Sequence, residues 1–544
     1  MQLVTRFRIV SVLSCLALAG GCGKRAEAPT GTETRAAVQP APGGELVFGF
    51  DGAAVAQFKL DPHESAFAPH HRVMRSIYDS LVVALPGHRF GPWLARSWEV
   101  APDGLSYTFH LRDDVLFHDG TAFDAEAVRF NLDRIKDPKN AFLALADIGS
   151  YQRSEVIDPR TVRVHFDKPF APFLANLSKS SLGMVSPAAV AKHGNAFPQN
   201  PVGTGPFRFV SLAPATEIVL ARNPAYAWPP EGAAHQGPAF LERVTFKNVP
   251  EESTRVAVLM NGQAGAVDLI PPQNLVSLQK SPDYRLIQGE LLNHNYALYL
   301  NVQRAPWTDA RVREAFRNSL DLDTAVRTIY LGTQARAWSS LSPSIPGYDK
   351  SLENAWKPDR EGAKRALEAL GWKAGDDGVR VKDGKRLTVS FLDTQGNREK
   401  RLDLMTLLRR QLKDAGFDVR IDSQPSGAYL AKSAAGEFDL LAGSLFAPDP
   451  DVMRRIYSPN IRSQASVAKV DDPELTELLE RGAQTLDPTE RAALYARAQR
   501  LVLDKTYAIP AYVLKYNVAS ATRVQGIAID VHGFPVLYDS WLGS

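Results

Sequence analysis

Apolar and polar positions alternate over residues 107–112 (YTFHLR) and 162–167 (VRVHFD), the period of two that a half-buried strand requires. The second run follows Asp158-Pro159, a turn signal, and the alternation sets His110 and His165 on polar faces. Further along, the spacing lengthens to three and four. Helices are predicted over 311–320 and 322–331 behind the cap candidates Asp309 and Asp321, the second running into Gly332, where a left-handed cap is expected. Over 398–415, Leu404, Leu408 and Leu412 share one face and Gly416 stops the pattern, while 489–503 opens after Asp487-Pro488. Residues 379–389 (VRVKDGKRLTV) read as a hairpin on the turn Asp383-Gly384. The mixture predicts an α/β fold, and from Glu45 onward the chain is longer than one hydrophobic core normally serves, so two or three lobes are expected.

The beginning of the chain follows other rules. Arg6 and Arg8 precede an apolar run over 9–19, then Gly20, Gly21 and Cys22, with no acidic residue in the stretch. That is the layout of a secretory signal, and the run of about a dozen residues falls short of the roughly 20 that span a bilayer. Leu18-Ala19-Gly20-Gly21-Cys22 resembles the bacterial lipobox, with Ala19 where that pattern usually has Leu. Residues 1–21 are therefore expected to be removed and Cys22 lipidated. Residues 22–44 are rich in Ala, Pro, Gly and Thr and read as a disordered, lipid-anchored linker. The protein is expected to be exported to the periplasm or cell surface and held to the membrane by its lipid alone.

Two cysteines, Cys15 and Cys22, are all the chain has, so the body folds without disulfides or thiolate metal sites. Counted from Glu45, basic and acidic residues balance at 58 each, which points away from nucleic acid as a partner. No catalytic signature emerges: there is no Gly-x-Ser-x-Gly elbow, and His63-Glu64 has Phe67 where a zinc helix would place its second histidine. The neighbours His70-His71 diverge on any regular element, which favours a surface or interlobe role over a metal site. Neither catalysis nor a cofactor is expected.

A series of segments supplies the positive case. Leu60-Asp61-Pro62-His63, 93–98 (WLARSW), 107–128 (YTFHLRDDVLFHDGTAFDAEAV), 201–207 (PVGTGPF), 265–270 (GAVDLI), 311–316 (RVREAF), 437–440 (EFDL), Asp449-Pro450-Asp451 and 490–495 (ERAALY) occur in this order. Together they resemble the peptide, dipeptide and nickel-type solute-binding proteins of bacterial ABC importers. The resemblance implies a two-lobe periplasmic-binding-protein-like fold (class II, cluster C) with an extra subdomain on lobe I. Projected here, lobe I takes 45–83, 200–290 and 511–544, the extra subdomain 84–199 and lobe II 291–510. It also implies a monomeric receptor that closes on a peptide or peptide-like solute and serves a permease and ATPase complex. Nickel or other metal chelates, oligosaccharides and opine-like solutes stay open as ligands, as does a sensory or enzymatic derivative of the fold.

The resemblance also raises a question about the ligand's end groups. In peptide receptors of this kind an aspartate about three residues before the Asp-Pro element pairs with the ligand's ammonium, because a buried cation needs a fixed opposite charge. Here that position is Phe446, in a stretch from Ser444 to Pro448 without an acid. Either Asp449 takes the role by a shift of register, or the anchor is missing and Phe446, Phe67, Trp338 and Tyr512 form a stacking wall. Ser444, Phe446, Asp449, Phe67, Trp338 and Tyr512 are thus the expected ligand-contacting set.

Overall fold

A computed structural model describes residues 39–52, 59–65, 67–461 and 468–543. Cys22 and the expected signal and linker up to residue 38 lie outside the described residues. Gly43 and Gly44, expected in the linker, are already tied to the body: Gly43 N–H donates to the Phe240 carbonyl at 2.8 Å and the Gly44 carbonyl accepts from Glu242 at 2.9 Å.

Three sheets organise the chain. A seven-stranded mixed sheet runs in the order Tyr284–Glu290, Lys515–Ala521, Ala266–Asp268, Glu45–Phe50, Arg243–Asn248, Glu217–Arg222, Phe207–Ala213. A six-stranded sheet runs Ala335–Arg336, Ala508–Val513, Asn293–Leu300, Leu440–Phe446, Thr388–Thr394, Asp418–Gln424. The alternating segments found in the sequence form the centre of a four-stranded antiparallel sheet, with Ser106–Leu111 paired to Thr161–Phe166 between Ala95–Val100 and Tyr151–Asp158. Val162 and Val164 are fully buried, while His110 and His165 stay part-exposed on the other face.

The chain passes between the two large sheets twice. It leaves the seven-stranded sheet after Glu290 and enters the six-stranded one at Asn293. It returns between Val513 and Lys515, through Leu514 alone. Ala511 to Val513 therefore pair within the six-stranded sheet, three residues beyond the expected change of lobe at 511. Two short crossings thus join two α/β bodies.

Most local expectations match the elements. Asp309, Asp321 and Asp487 accept hydrogen bonds from the first turns of Ala310–Asn318, Leu322–Tyr330 and Pro488–Asp504. Asp383 and Gly384, at φ 50° and 72°, make the turn between Arg380–Lys382 and Lys385–Arg386. One helix differs. The pattern from 398 becomes a short 3₁₀ turn, Arg398–Lys400, with Glu399 and Lys400 both left-handed, and the α-helix proper is Arg401–Ala415. Its Leu404, Leu408 and Leu412 are buried as predicted, each contributing on the order of 1.5–3 kcal/mol by leaving water.

Candidate functional site

Between the two large sheets, at the crossings, lies a cavity of about 230 Å³. Its walls come from both lobes and from the four-stranded subdomain: Phe67, Arg72 and Tyr516 on one side, Asp147 and Lys179 from the subdomain, and Asn293, Glu399, Arg401 and Phe446 on the other. Two hinge-crossing residues, Leu291 and Leu514, complete the lining.

Each charged side chain is placed by a local feature. Arg72 lies on the helix Ala68–Met74 and reaches Asp268, at the end of strand Ala266–Asp268, at 2.8 Å. Its guanidinium stands 4.8 Å from the centroid of the Tyr516 ring, and Tyr516 donates its hydroxyl to Asp268 at 2.9 Å. The left-handed turn before Arg401–Ala415 turns Glu399 inward, where it is buried between Arg401 at 2.7 Å and Arg398 at 3.2 Å. Burial alone would raise its carboxyl, but Arg401 and Arg398 outweigh it and hold the group down to about 2.

Asp147, on the short helix Leu145–Ile148, accepts from Lys179 at 2.6 Å, Ser181 at 2.8 Å and Arg455 at 2.7 Å. Arg455 belongs to the helix Val452–Tyr457 of the other lobe, so this ion pair closes the cavity directly between lobes. Burial pulls the Lys179 ammonium down to about 8 against the attraction of Asp147. Apolar walls come from Phe446, whose ring lies 4.9 Å from Phe534 and 5.4 Å from His532, centroid to centroid.

Of the residues expected at the ligand, Phe67, Ser444 and Phe446 line the cavity. The other three do not. Asp449 is bidentate to Arg491 at 2.6 and 2.8 Å and accepts the Asp451 N–H, contacts that lie inside one lobe. Trp338 packs under the Arg336 guanidinium, 4.6 Å from the ring centroid, and against Trp356, away from the cavity. Tyr512 is buried between Tyr296 and Tyr330, at 4.7 and 4.6 Å, and reaches the site from behind its wall, donating its hydroxyl to Glu399 at 3.5 Å beside Arg401. His71 lines the cavity with both ring nitrogens engaged, at 2.8 Å from the Ser65 carbonyl oxygen and 2.9 Å from the Ser180 hydroxyl.

Sequence reasoning missed Arg72, Asp147, Lys179, Asn293, Glu399, Arg401 and Arg455. A signal existed only for Glu399: Gly396-Asn397 precedes it, and the Asn397 side chain accepts from the backbone of Leu402 at 3.0 Å, which starts the helix late.

Comparison with known proteins agrees with this geometry. The profile of the bacterial extracellular solute-binding proteins, family 5, matches residues 89–464. The glutathione-binding protein GsiB of Escherichia coli strain K12 is 27% identical over 491 residues, covering 86% of this chain and 90% of its own. The periplasmic binding protein DppA from Helicobacter pylori, in complex with the peptide STSA, superposes with a TM-score of 0.80 at 25% identity, over 93% of this chain and 99% of that one. NikA from Brucella suis, in complex with Fe(III)-EDTA, gives a TM-score of 0.77 at 26% identity, over 91% and 99%.

Proposed function

The chain belongs to the bacterial extracellular solute-binding proteins, family 5, the receptors of ABC importers, and from that membership we propose that it captures a compact peptide or peptide-like solute between its lobes and presents it to a membrane permease. The observation that carries this reading is the cavity at the hinge, lined from both lobes and bridged by the ion pair of Asp147 and Arg455. A ligand touching both walls favours closure by its differential affinity for the closed form. At about 230 Å³ the space lies below the roughly 300–1,000 Å³ typical of drug-sized ligands, which suits a short peptide better than a long one. The relatives that match are binding proteins, and we assign this chain the same role, without a catalytic step.

Mass spectrometry of small molecules released from the purified, denatured protein tests the reading, followed by calorimetry with glutathione and simple dipeptides. Release of a peptide-like solute that rebinds supports it, whereas an unrelated solute, or turnover of the added peptide, overturns it. The finer points of location rest on Cys22: lipidated after export, it would anchor a monomer at the membrane surface. Cys22→Ser should move the protein from the membrane to the soluble exported fraction, and a wild type already soluble there refutes the anchor.

A further inference from the structure

Resting on the receptor reading above, we infer that the solute is an acid: a compact molecule with a net negative charge, at least two carboxylate-type groups and an amide. Arg72, Lys179, Arg398, Arg401 and Arg455 line the cavity against two carboxylates, Asp147 and Glu399. Lys515 lines it as well. Adding the ion-pair partners behind the wall, Asp268 with Arg255, and Asp51 at 4.0 Å from Arg398, gives seven cations against four carboxylates among the described residues. The surplus persists at that wider radius.

Its arrangement is informative. Asp147 is shared by Lys179 and Arg455, and Asp268 by Arg72 and Arg255, so two clusters on separate elements each hold one carboxylate too few. Charges taken out of water require opposite charge or they do not stay charged. Arg455 Nε and Arg72 Nε are buried and donate to nothing among the described residues. An acidic group beside each cluster supplies both the charge and the acceptor.

Asn293 adds the third element. It opens the strand Asn293–Leu300 directly after the crossing, is 1% exposed and lines the cavity, yet neither its Oδ1 nor its Nδ2 has a hydrogen-bond partner among the described residues. A buried amide left so keeps the full penalty of its lost hydration, and the group that complements both atoms is another amide, one N–H and one C=O.

Calorimetry at fixed ionic strength with alanyl-glutamate, N-acetylglutamate, alanyl-alanine and alanyl-lysine separates the possibilities. The two acids should bind at least tenfold more tightly than alanyl-alanine, with alanyl-lysine the weakest. Asn293→Leu should lose at least tenfold for both acids while its thermal midpoint holds or rises, because it removes an unpaired polar group. Equal or tighter binding of the neutral or basic dipeptide overturns the charge inference and leaves the peptide receptor standing. Binding of N-acetylglutamate with no dipeptide binding keeps the charge inference and removes the peptide reading. Failure of both acids to bind at millimolar concentration, or an Asn293→Leu protein that binds them as wild type does, overturns the inference itself.

Discussion

Asp449 illustrates how a side chain's partner decides its role. The carboxylate is fixed by Arg491 through two short hydrogen bonds, both groups being largely buried, and breaking such a pair from one side costs about 3–5 kcal/mol because the other charge is stranded. Asp449→Asn should therefore lower the chemical-denaturation midpoint markedly while changing affinity for any ligand less than threefold. A stable variant that loses binding would restore Asp449 as a ligand anchor. The buried histidines carry a second expectation. Burial holds His63 down to about 3 and His71, His118 and His294 to about 4, against about 6.5 unfolded. Between those values the unfolded chain binds more protons, so their contribution is complete above about 6.5 and lost as pH falls toward 4, about 1.4 kcal/mol per pH unit for each. Asp79, which burial pushes up to about 7, works the other way, losing stability as pH rises through that range. His70, His88 and His532 are lowered by burial as well, and Glu252, Asp393 and Asp530 raised by it. With seven histidines against four acids, the denaturation midpoint should fall between pH 7 and pH 5, and an unchanged or higher midpoint at pH 5 contradicts this balance. The charged site was scarcely legible beforehand for the same reason: Arg72 and Asp268, or Asp147 and Arg455, are far apart in the chain, and nothing in either segment names its partner.

Elements were far more legible, because their signals are local. The strands Ser106–Leu111 and Thr161–Phe166 follow from alternation, and the caps at Asp309, Asp321 and Asp487 from residue type and place. The late start at Arg401 was hidden because residues 398–400 continue the helical pattern in composition while Asn397 competes for the first-turn N–H groups. The segment 201–207 shows why a glycine-proline motif can be specific without any chemistry. Gly205 donates its N–H to the Ile77 carbonyl at 2.9 Å and accepts from the His118 ring at 2.9 Å. A Cβ at Gly205 would lie 2.6 Å from the Ile77 carbonyl carbon, which is backbone and cannot turn aside. Gly205→Ala should thus destabilise by about 1–3 kcal/mol, detectable in urea unfolding. A variant as stable as wild type would mean that the segment at 76–78 can shift at no cost.

At the scale of the whole molecule, the receptor reading we propose has the lobes hinge about the chain's two crossings, so that side-chain contacts between them bias the closed form. One such contact lies outside the cavity lining: Lys400, just before the helix Arg401–Ala415, reaches Glu252, which opens the helix Glu252–Met260 on the other lobe, at 3.0 Å. Both side chains are only partly exposed, so the pair is worth on the order of 1 kcal/mol to closure. Apparent affinity scales with the population of the competent form, so losing that bias raises Kd by up to about fivefold, and by the same factor for every ligand that needs closure. Lys400→Gln should weaken alanyl-glutamate and N-acetylglutamate equally, unlike a change in the cavity wall, whose effect depends on what the ligand presents there. Glu252→Gln should give the same factor, and the double variant no more than either single one, since the pair can be broken only once. A factor that differs between the two ligands, or additive losses in the double variant, would place Lys400 or Glu252 in direct contact with solute and take the pair out of the hinge equilibrium.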